Sequence, residues 1–457
     1  MDKPQDLLRL LPKIDTLLAG AEAARHVDQL GRQAVVEICR GAVERAKERV
    51  LASGEAPDPD AIAADVATAC RRARSNVLDR VINGTGVLLH TNLGRAPLGA
   101  DLLREVADRV SGYCNLEINV LERRRGIRGP HVSSLLAQAC GAEDALVVNN
   151  NAAALFLILR QFASGRKVVI SRGELVQIGG GFRIPDILVS SGASLAEVGT
   201  TNITRVEDFE AAIDDDTGMM LKVHNSNFRM EGFVESPEVR DLAPIKQPGV
   251  LLVSDLGSGN LVRDLHGGPV REPTPGDMLA EGADLVCFSC DKMLGGVQGG
   301  AIAGRAELIR ALRKNPVMRV LRVDKVTYGA LQIVLSHHLA GRHERVTMWA
   351  MATASPDQVR RRVADFLEQH GLGAPRFAPV ETVSTFGGGS TPGEQIPSAG
   401  VRLVSEASAD GIARWFQEQE PPVIGLVKDG HYHLDFRTIL PEDEEPLAAA
   451  LASWAQS

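Results

Sequence analysis

Aromatic residues are scarce in this chain: Phe, Trp and Tyr together make up 4% of its 457 residues. A core of this size must therefore be built mainly from aliphatic side chains. Long apolar runs are also missing. None approaches the roughly 20 residues that a membrane-spanning helix needs, so no membrane association is expected. The N-terminal MDKPQDLLRLLPKIDTLL interrupts its leucines with charges, unlike the apolar core of a signal peptide. The six cysteines show no paired spacing, which fits a reducing compartment, and the expected location is cytoplasmic. Excess positive charge is absent too. A net charge of −8 gives no global support for a nucleic-acid partner, which would require a local basic patch. No G-x-x-x-x-G-K-S/T loop and no G-x-S-x-G elbow occurs, which argues against a P-loop and an α/β-hydrolase. Cys287 and Cys290 form a lone C-x-x-C. Strand alternation puts them on opposite faces, and no second pair completes a zinc site, so no metal is expected.

What is present divides into three parts. Residues 1–76 read as helices. Val36, Cys39, Val43, Ala46 and Val50 recur in steps of three and four, a single apolar stripe. GEAPDPD at 54–60 is a turn from which Asp58 or Asp60 can cap the next helix. This segment is either a recognition or assembly module or a packing extension. In residues 77–355 short aliphatic runs alternate with helical patterns. DALVVNN, RKVVISR, GMMLKVH, GVLLVSD and ADLVCFS each read as a buried strand, which predicts a mainly parallel sheet covered on both faces. Residues 356–457 read as α+β with antiparallel hairpins: a charged helix, a Gly-rich stretch, the strand VRLVS, a helix near 408–418, the strands PPVIGLVKDG and HYHLDFR, and a short acidic helix.

Three chemical signals lie in order at predicted strand ends. Asn149-Asn150-Asn151-Ala152 opens a helix, where free N–H groups and the positive dipole end suit a phosphate; a simple Asn-rich cap is the structural alternative. Asp255 ends the strand LLVSD, the edge of a parallel sheet where ligands bind. Lys292 follows a strand and precedes a glycine-rich turn, where desolvation can lower its pKa toward nucleophilic use. Taken singly, the acid reads as a turn cap and the lysine as a surface charge. In this order the three match what pyridoxal-5′-phosphate (PLP) chemistry needs: a phosphate turn, an acid that keeps the pyridine nitrogen protonated, and a lysine that carries the cofactor.

The motifs RVINGTGVLLHTNLGRAPLG (80–99), NNNAAA (149–154), SRGELVQIGGGFRIPD (171–186), VGTTN (198–202), KVHNSNF (222–228), SDLGSG (254–259) and FSCDKMLGG (288–296) resemble those of bacterial selenocysteine synthases, the L-seryl-tRNA(Sec) selenium transferases. The resemblance extends from PKIDTLL to PPVIGLVKDGHYHLDFR, nearly the whole chain. It implies the aspartate-aminotransferase-like PLP-dependent transferase fold type I, with a small helical N-terminal domain (1–76) that engages tRNA, a large PLP domain (77–355) and an α+β C-terminal domain (356–457). It also implies conversion of Ser-tRNA(Sec) to selenocysteinyl-tRNA(Sec) with selenophosphate as donor, in a homo-oligomer that is typically a decamer built from dimers.

Residue by residue, Lys292 matches the family's cofactor lysine and Asp255 its pyridinium partner. Asn150, Asn151 and Ala152 fall in the phosphate turn, and His224 in KVHNSNF falls among the cofactor-binding positions. Arg95, Arg319 and Arg322 match arginines around the substrate pocket, and Asp291 is an active-site position beside the lysine. Arginine forks suit a compact multivalent anion, and the three-residue spacing of Arg319 and Arg322 puts both on one side of a helix. Three positions depart from the family pattern: Cys290 in place of Gly, Val297 in place of Pro and Gln177 in place of an acid. Two other readings remain open on the residues alone, a PLP lyase or β-replacement enzyme acting on a free small molecule and a non-catalytic tRNA-binding protein.

Overall fold

The computed structural model describes residues 4–74, 77–178, 181–265, 268–270, 272–388, 390–391 and 393–456. The chain forms two compact units, Met1–Arg80 and Val81–Ser457. Residue 76, the expected end of the first part, lies outside the described residues.

The first unit is helical: α1 (Ile14–Ala19), α2 (Ala21–Leu30), α3 (Arg32–Ser53) and α4 (Pro59–Arg74). The apolar stripe of α3 is rotated from the expected one. Val35, Cys39, Ala42, Ala46 and Val50 are buried, whereas Val36 and Val43 are only partly covered. Ala42 joins this buried stripe, a small residue that ranking by hydrophobicity alone overlooks. Asp58 is the residue that caps α4, its Oδ1 accepting from the N–H groups of Asp60 and Ala61 at 2.9 and 3.3 Å.

The second unit is organised by a seven-stranded sheet: β1 (Asp144–Val148), β2 (Lys167–Ser171), β3 (Ser194–Val198), β4 (Thr217–Val223), β5 (Leu251–Gly257), β6 (Leu285–Ser289) and β7 (Gly300–Gly304). Across the sheet the order is β1-β7-β6-β5-β4-β2-β3, with β7 antiparallel to both of its neighbours and the remaining pairs parallel. Alternate side chains enter separate cores. Val147, Val286 and Phe288 join one cluster, Leu146, Val148, Leu285 and Cys287 the other. Helices α5 (Ala100–Val110), α6 (Pro130–Cys140) and α9 (Lys325–Leu339) cover the first face; α7 (Asn151–Phe162) and α8 (Ala306–Lys314) cover the second. Burial on both faces is why the five runs read from the sequence are continuous apolar segments.

Residues 356–456 add α10 (Pro356–Gln369), a four-stranded antiparallel sheet and the terminal helix α11 (Glu444–Gln456). That sheet runs in the order Phe377–Ser384, Ile396–Leu403, His431–Asp435, Leu426–Lys428. The segment Ile82–Asn83 pairs in parallel with Val423–Ile424, and the Leu88 and Leu89 N–H groups donate to Thr385 and Phe386 carbonyls. No described helix is long and apolar enough to cross a membrane.

Candidate active site

The carboxyl ends of the parallel strands gather the predicted residues at one edge of the sheet, where open α/β sheets bind ligands. Asp255 sits near the end of β5, His224 follows β4, Asn150 and Asn151 follow β1, and Lys292 follows β6.

Lys292 and Asp255 are each only 5% exposed. Burial, reinforced by the positive charge of Arg95, pushes the Lys292 amine below its ordinary range, against the pull of Asp255, Asp291 and Glu272. Burial likewise raises Asp255, opposed chiefly by a hydrogen bond from Asn151 Nδ2 to Asp255 Oδ1 at 2.8 Å and by the charge of Lys292. The Asp255 carbonyl also accepts from the His224 N–H at 2.9 Å, which ties β5 to the residue ending β4.

Around the pair, glycines let the backbone close in. A side chain at Gly257 (φ +73°) would place its Cβ 3.9 Å from Lys292 Nζ. One at Gly300 would lie 2.1 Å from the Asn150 carbonyl, so the start of β7 presses directly on the Asn turn. Asn150 caps α7, its Oδ1 accepting from the Ala153 N–H at 2.8 Å. The first-turn amides of Asn151 and Ala152 then have no acceptor within the helix.

Arg95 holds Asp291 by an ion pair of 2.9 Å, and the Ala96 N–H donates to the Asp291 carbonyl at 3.2 Å. Arg95 adopts φ +64°, a left-handed conformation that costs an L-residue about 1–2 kcal/mol. That strain accompanies an arginine aimed at the acid beside Lys292.

Arg319 and Arg322 line a cavity whose walls do not include Lys292 or Asp255. The helix expected to carry both is the short segment Met318–Leu321, and Arg322 lies beyond its end in an extended conformation. Both still line that cavity with Arg128, Arg313 and Tyr328. The link to the site is the backbone: the Asn149 N–H donates to the Leu321 carbonyl at 3.0 Å. Arg322 also lies 3.8 Å from Glu117.

Several groups here were not singled out as site residues in the sequence. Glu272, 4% exposed, meets His224 Nε2 at 3.2 Å from an irregular segment 48 positions later. Ser226 is buried beside Gly257. Glu174, also buried, accepts from Lys222 Nζ at 2.6 Å and from the Val223 N–H at 2.8 Å, pinning the end of β4. Cys287 faces Asp255 and donates to it, while Cys290 belongs to the opposite core, as alternation predicted. Burial raises both thiols well above their ordinary range. At the two other departures, Val297 packs against the core and Gln177 Oε1 accepts from Arg183 Nε at 2.8 Å.

The residues fit PLP. Buried polar atoms of Asn151, Asn225, Ser258 and Glu272 have no partner among the described residues. They surround a desolvated lysine facing an acid, with free helix-end amides nearby, a donor set that suits a phosphorylated pyridine ring.

A seven-stranded sheet in this order, with one antiparallel strand and a buried lysine opposite a strand-end aspartate, is the PLP-dependent transferase fold type I, the aspartate-aminotransferase-like α/β class. A solved D-glucosaminate-6-phosphate ammonia-lyase has the same fold, with a TM-score of 0.59 at 18% identity over 83% of this chain and 97% of that one. The chain belongs to the L-seryl-tRNA(Sec) selenium transferase family: residues 81–440 match L-seryl-tRNA selenium transferase and residues 8–46 match the selenocysteine synthase N terminal region. It is 40% identical to the L-seryl-tRNA(Sec) selenium transferase of Carboxydothermus hydrogenoformans, over 96% of each chain. It is also 40% identical to that of Rhizobium meliloti, over 97% of each.

Proposed function

We propose that this protein is a PLP-dependent selenotransferase that converts L-seryl-tRNA(Sec) to L-selenocysteinyl-tRNA(Sec), with selenophosphate as the selenium donor. The observation that carries the reading is likeness to L-seryl-tRNA(Sec) selenium transferases along the whole chain, N-terminal unit included, in a protein that keeps the Lys292–Asp255 pair intact.

When bound, PLP supplies an electron sink for charge developing at the serine α-carbon. The chain's own residues do the rest. Asp255, oriented by Asn151, holds a proton on the ring nitrogen. The amides of Asn151 and Ala152 and the Asn150 turn receive the phosphate, and His224, backed by Glu272, completes the cofactor site. Lys292 carries the cofactor until the serine amine takes its place; the freed amine, its basicity lowered by burial and by Arg95, takes the α-proton at Nζ. The serine β-hydroxyl leaves with a proton as water, the selenium of selenophosphate bonds to the β-carbon, and water cleaves its P–Se bond to release phosphate. Asp291 keeps Arg95 turned to the site, while Arg319 and Arg322 bind the anionic donor. Residues 1–76 recognise the tRNA, residues 77–355 hold the cofactor and residues 356–457 form the C-terminal domain. The protein works in the cytoplasm as a homo-oligomer, a decamer built from dimers.

A single-turnover assay tests this. The purified protein, loaded with PLP, is given selenophosphate and serine-charged tRNA(Sec), with free serine and a bulk serine tRNA as controls. Selenium on tRNA(Sec) alone is the expected result. A PLP-loaded protein indifferent to every tRNA would sink the proposal and point to a small-molecule lyase.

A further inference from the structure

The turn that carries Lys292 is buried from Asp291 through Gly296. Two aromatic N–H groups grip its carbonyls. The Trp349 indole Nε1 donates to the Met293 carbonyl at 2.7 Å, and His338 Nε2 lies 2.9 Å from the Leu294 carbonyl. A carbonyl only accepts, so Nε2 of His338 carries the proton. Its Nδ1 is then an acceptor, and it faces Nδ1 of His343 at 3.1 Å, which must donate. Burial pushes the His338 imidazole down to about 4, so the ring stays neutral at ordinary pH and the tautomer is set at both ends.

The other ties of the turn are backbone bonds. The Met293 N–H donates to the Ser258 carbonyl at 2.9 Å and the Gly295 N–H to the Lys292 carbonyl at 2.8 Å. Gly295 has φ +76°, and a Cβ there would lie 2.4 Å from Val346 Cγ1. The turn is therefore seated against the segment that leads into Trp349.

We propose that His338 and Trp349 are positioning residues for Lys292: their N–H donors fix the second and third peptide units after the lysine and so keep its Nζ aimed at the space beside Asp255. A lysine amine rides on a flexible four-carbon stem, and only its backbone root can be held rigidly. Misplacing a reacting group by about 1 Å costs on the order of 10²-fold in rate. Donors from two separate helices, α9 and Thr347–Thr353, triangulate the turn. Packing alone has no use for these protons; the Trp349 ring already packs edge-on against Phe386 at 5.8 Å. The catalytic consequence rests on Lys292 being the cofactor lysine, but the fixing of the turn can be measured without cofactor.

The full-length protein is compared with His338→Leu, His338→Gln and Trp349→Phe. The first readout is amide hydrogen exchange across residues 288–296 without PLP. Exchange should quicken about tenfold in His338→Leu and Trp349→Phe. It should stay at the parental rate in His338→Gln, whose side-chain amide can donate to the same carbonyl. The second readout adds PLP, reduces with borohydride and maps the trapped cofactor by peptide mass. Trapping on Lys292 should fall about fivefold in the Leu and Phe variants and recover in the Gln variant, with kcat following and KM for charged tRNA within about twofold.

Unchanged exchange in the Leu and Phe variants overturns the proposal, as does equal quickening in the Leu and Gln variants, which assigns His338 to packing. If His338→Leu does not fold, Trp349→Phe against the parent decides by the same criterion. The expected exchange pattern, together with cofactor trapped on a different lysine of the parent, would uphold the fixing of the turn and overturn the role given to Lys292.

Discussion

Lys292 and Asp255 are ionisable groups held almost out of water, and burying such groups costs desolvation that folding alone does not repay. Their retention in a site ringed by unpartnered polar atoms marks groups kept for chemistry. Lys292→Ala should lower turnover by roughly 10³-fold or more, and borohydride should then fix no cofactor to the turn. Asp255→Asn keeps the shape and removes the charge. Turnover should fall by about 10²-fold or more, read by a rate assay on the PLP-loaded protein. The lysine and the aspartate could be read from the sequence because each sits at a strand end of recognisable pattern. Glu272 could not. It lies in a stretch without periodicity, and only the fold carries it 48 positions back to His224.

Elements show the same division between local and long-range information. The Asn150 side chain caps α7 beside the sheet edge, so Asn150→Ala should cost about 1 kcal/mol of stability, read by thermal or denaturant unfolding. At the end of α9, His338 titrates near 4 in the fold against an ordinary 6.5; His337 and His343 are lowered as well. Between those two pH values the unfolded chain binds the proton that the folded His338 refuses. Stability therefore falls as pH drops from about 6.5 toward about 4, by about 3 kcal/mol for His338 alone. His338→Gln should flatten that slope in a series of unfolding curves. All five strands read from aliphatic runs are present, because a doubly covered strand is continuously apolar. The two that escaped notice, β3 and β7, escaped for opposite reasons. β3 is a partly exposed edge strand, and β7 is GAIAG, whose Gly300 meets the Asn turn and whose Gly304 meets the Asp284 carbonyl, glycines that carry almost no strand preference.

On the scale of the whole chain, the proposed division of labour between recognition and chemistry falls at the boundary of two compact units after Arg80. Removing residues 1–80 should abolish tight binding of tRNA(Sec), measured by filter retention or anisotropy, while residues 81–457 still take up PLP and turn yellow. Equal tRNA affinity in the truncated protein would refute the role given to the helical unit. The strand order carries a further consequence. Because β7 is inserted between β1 and β6, and the Asn149 N–H is received by the carbonyl of Leu321, the Asn turn is among the first parts of the sheet to be synthesised and among the last to be completed. At about 5–20 residues per second, a ribosome making this protein spends roughly ten to thirty seconds between the two halves of that turn. Through that interval the nascent chain has an open sheet edge and no finished pocket. The coenzyme can first be captured only when about two thirds of the polypeptide has emerged.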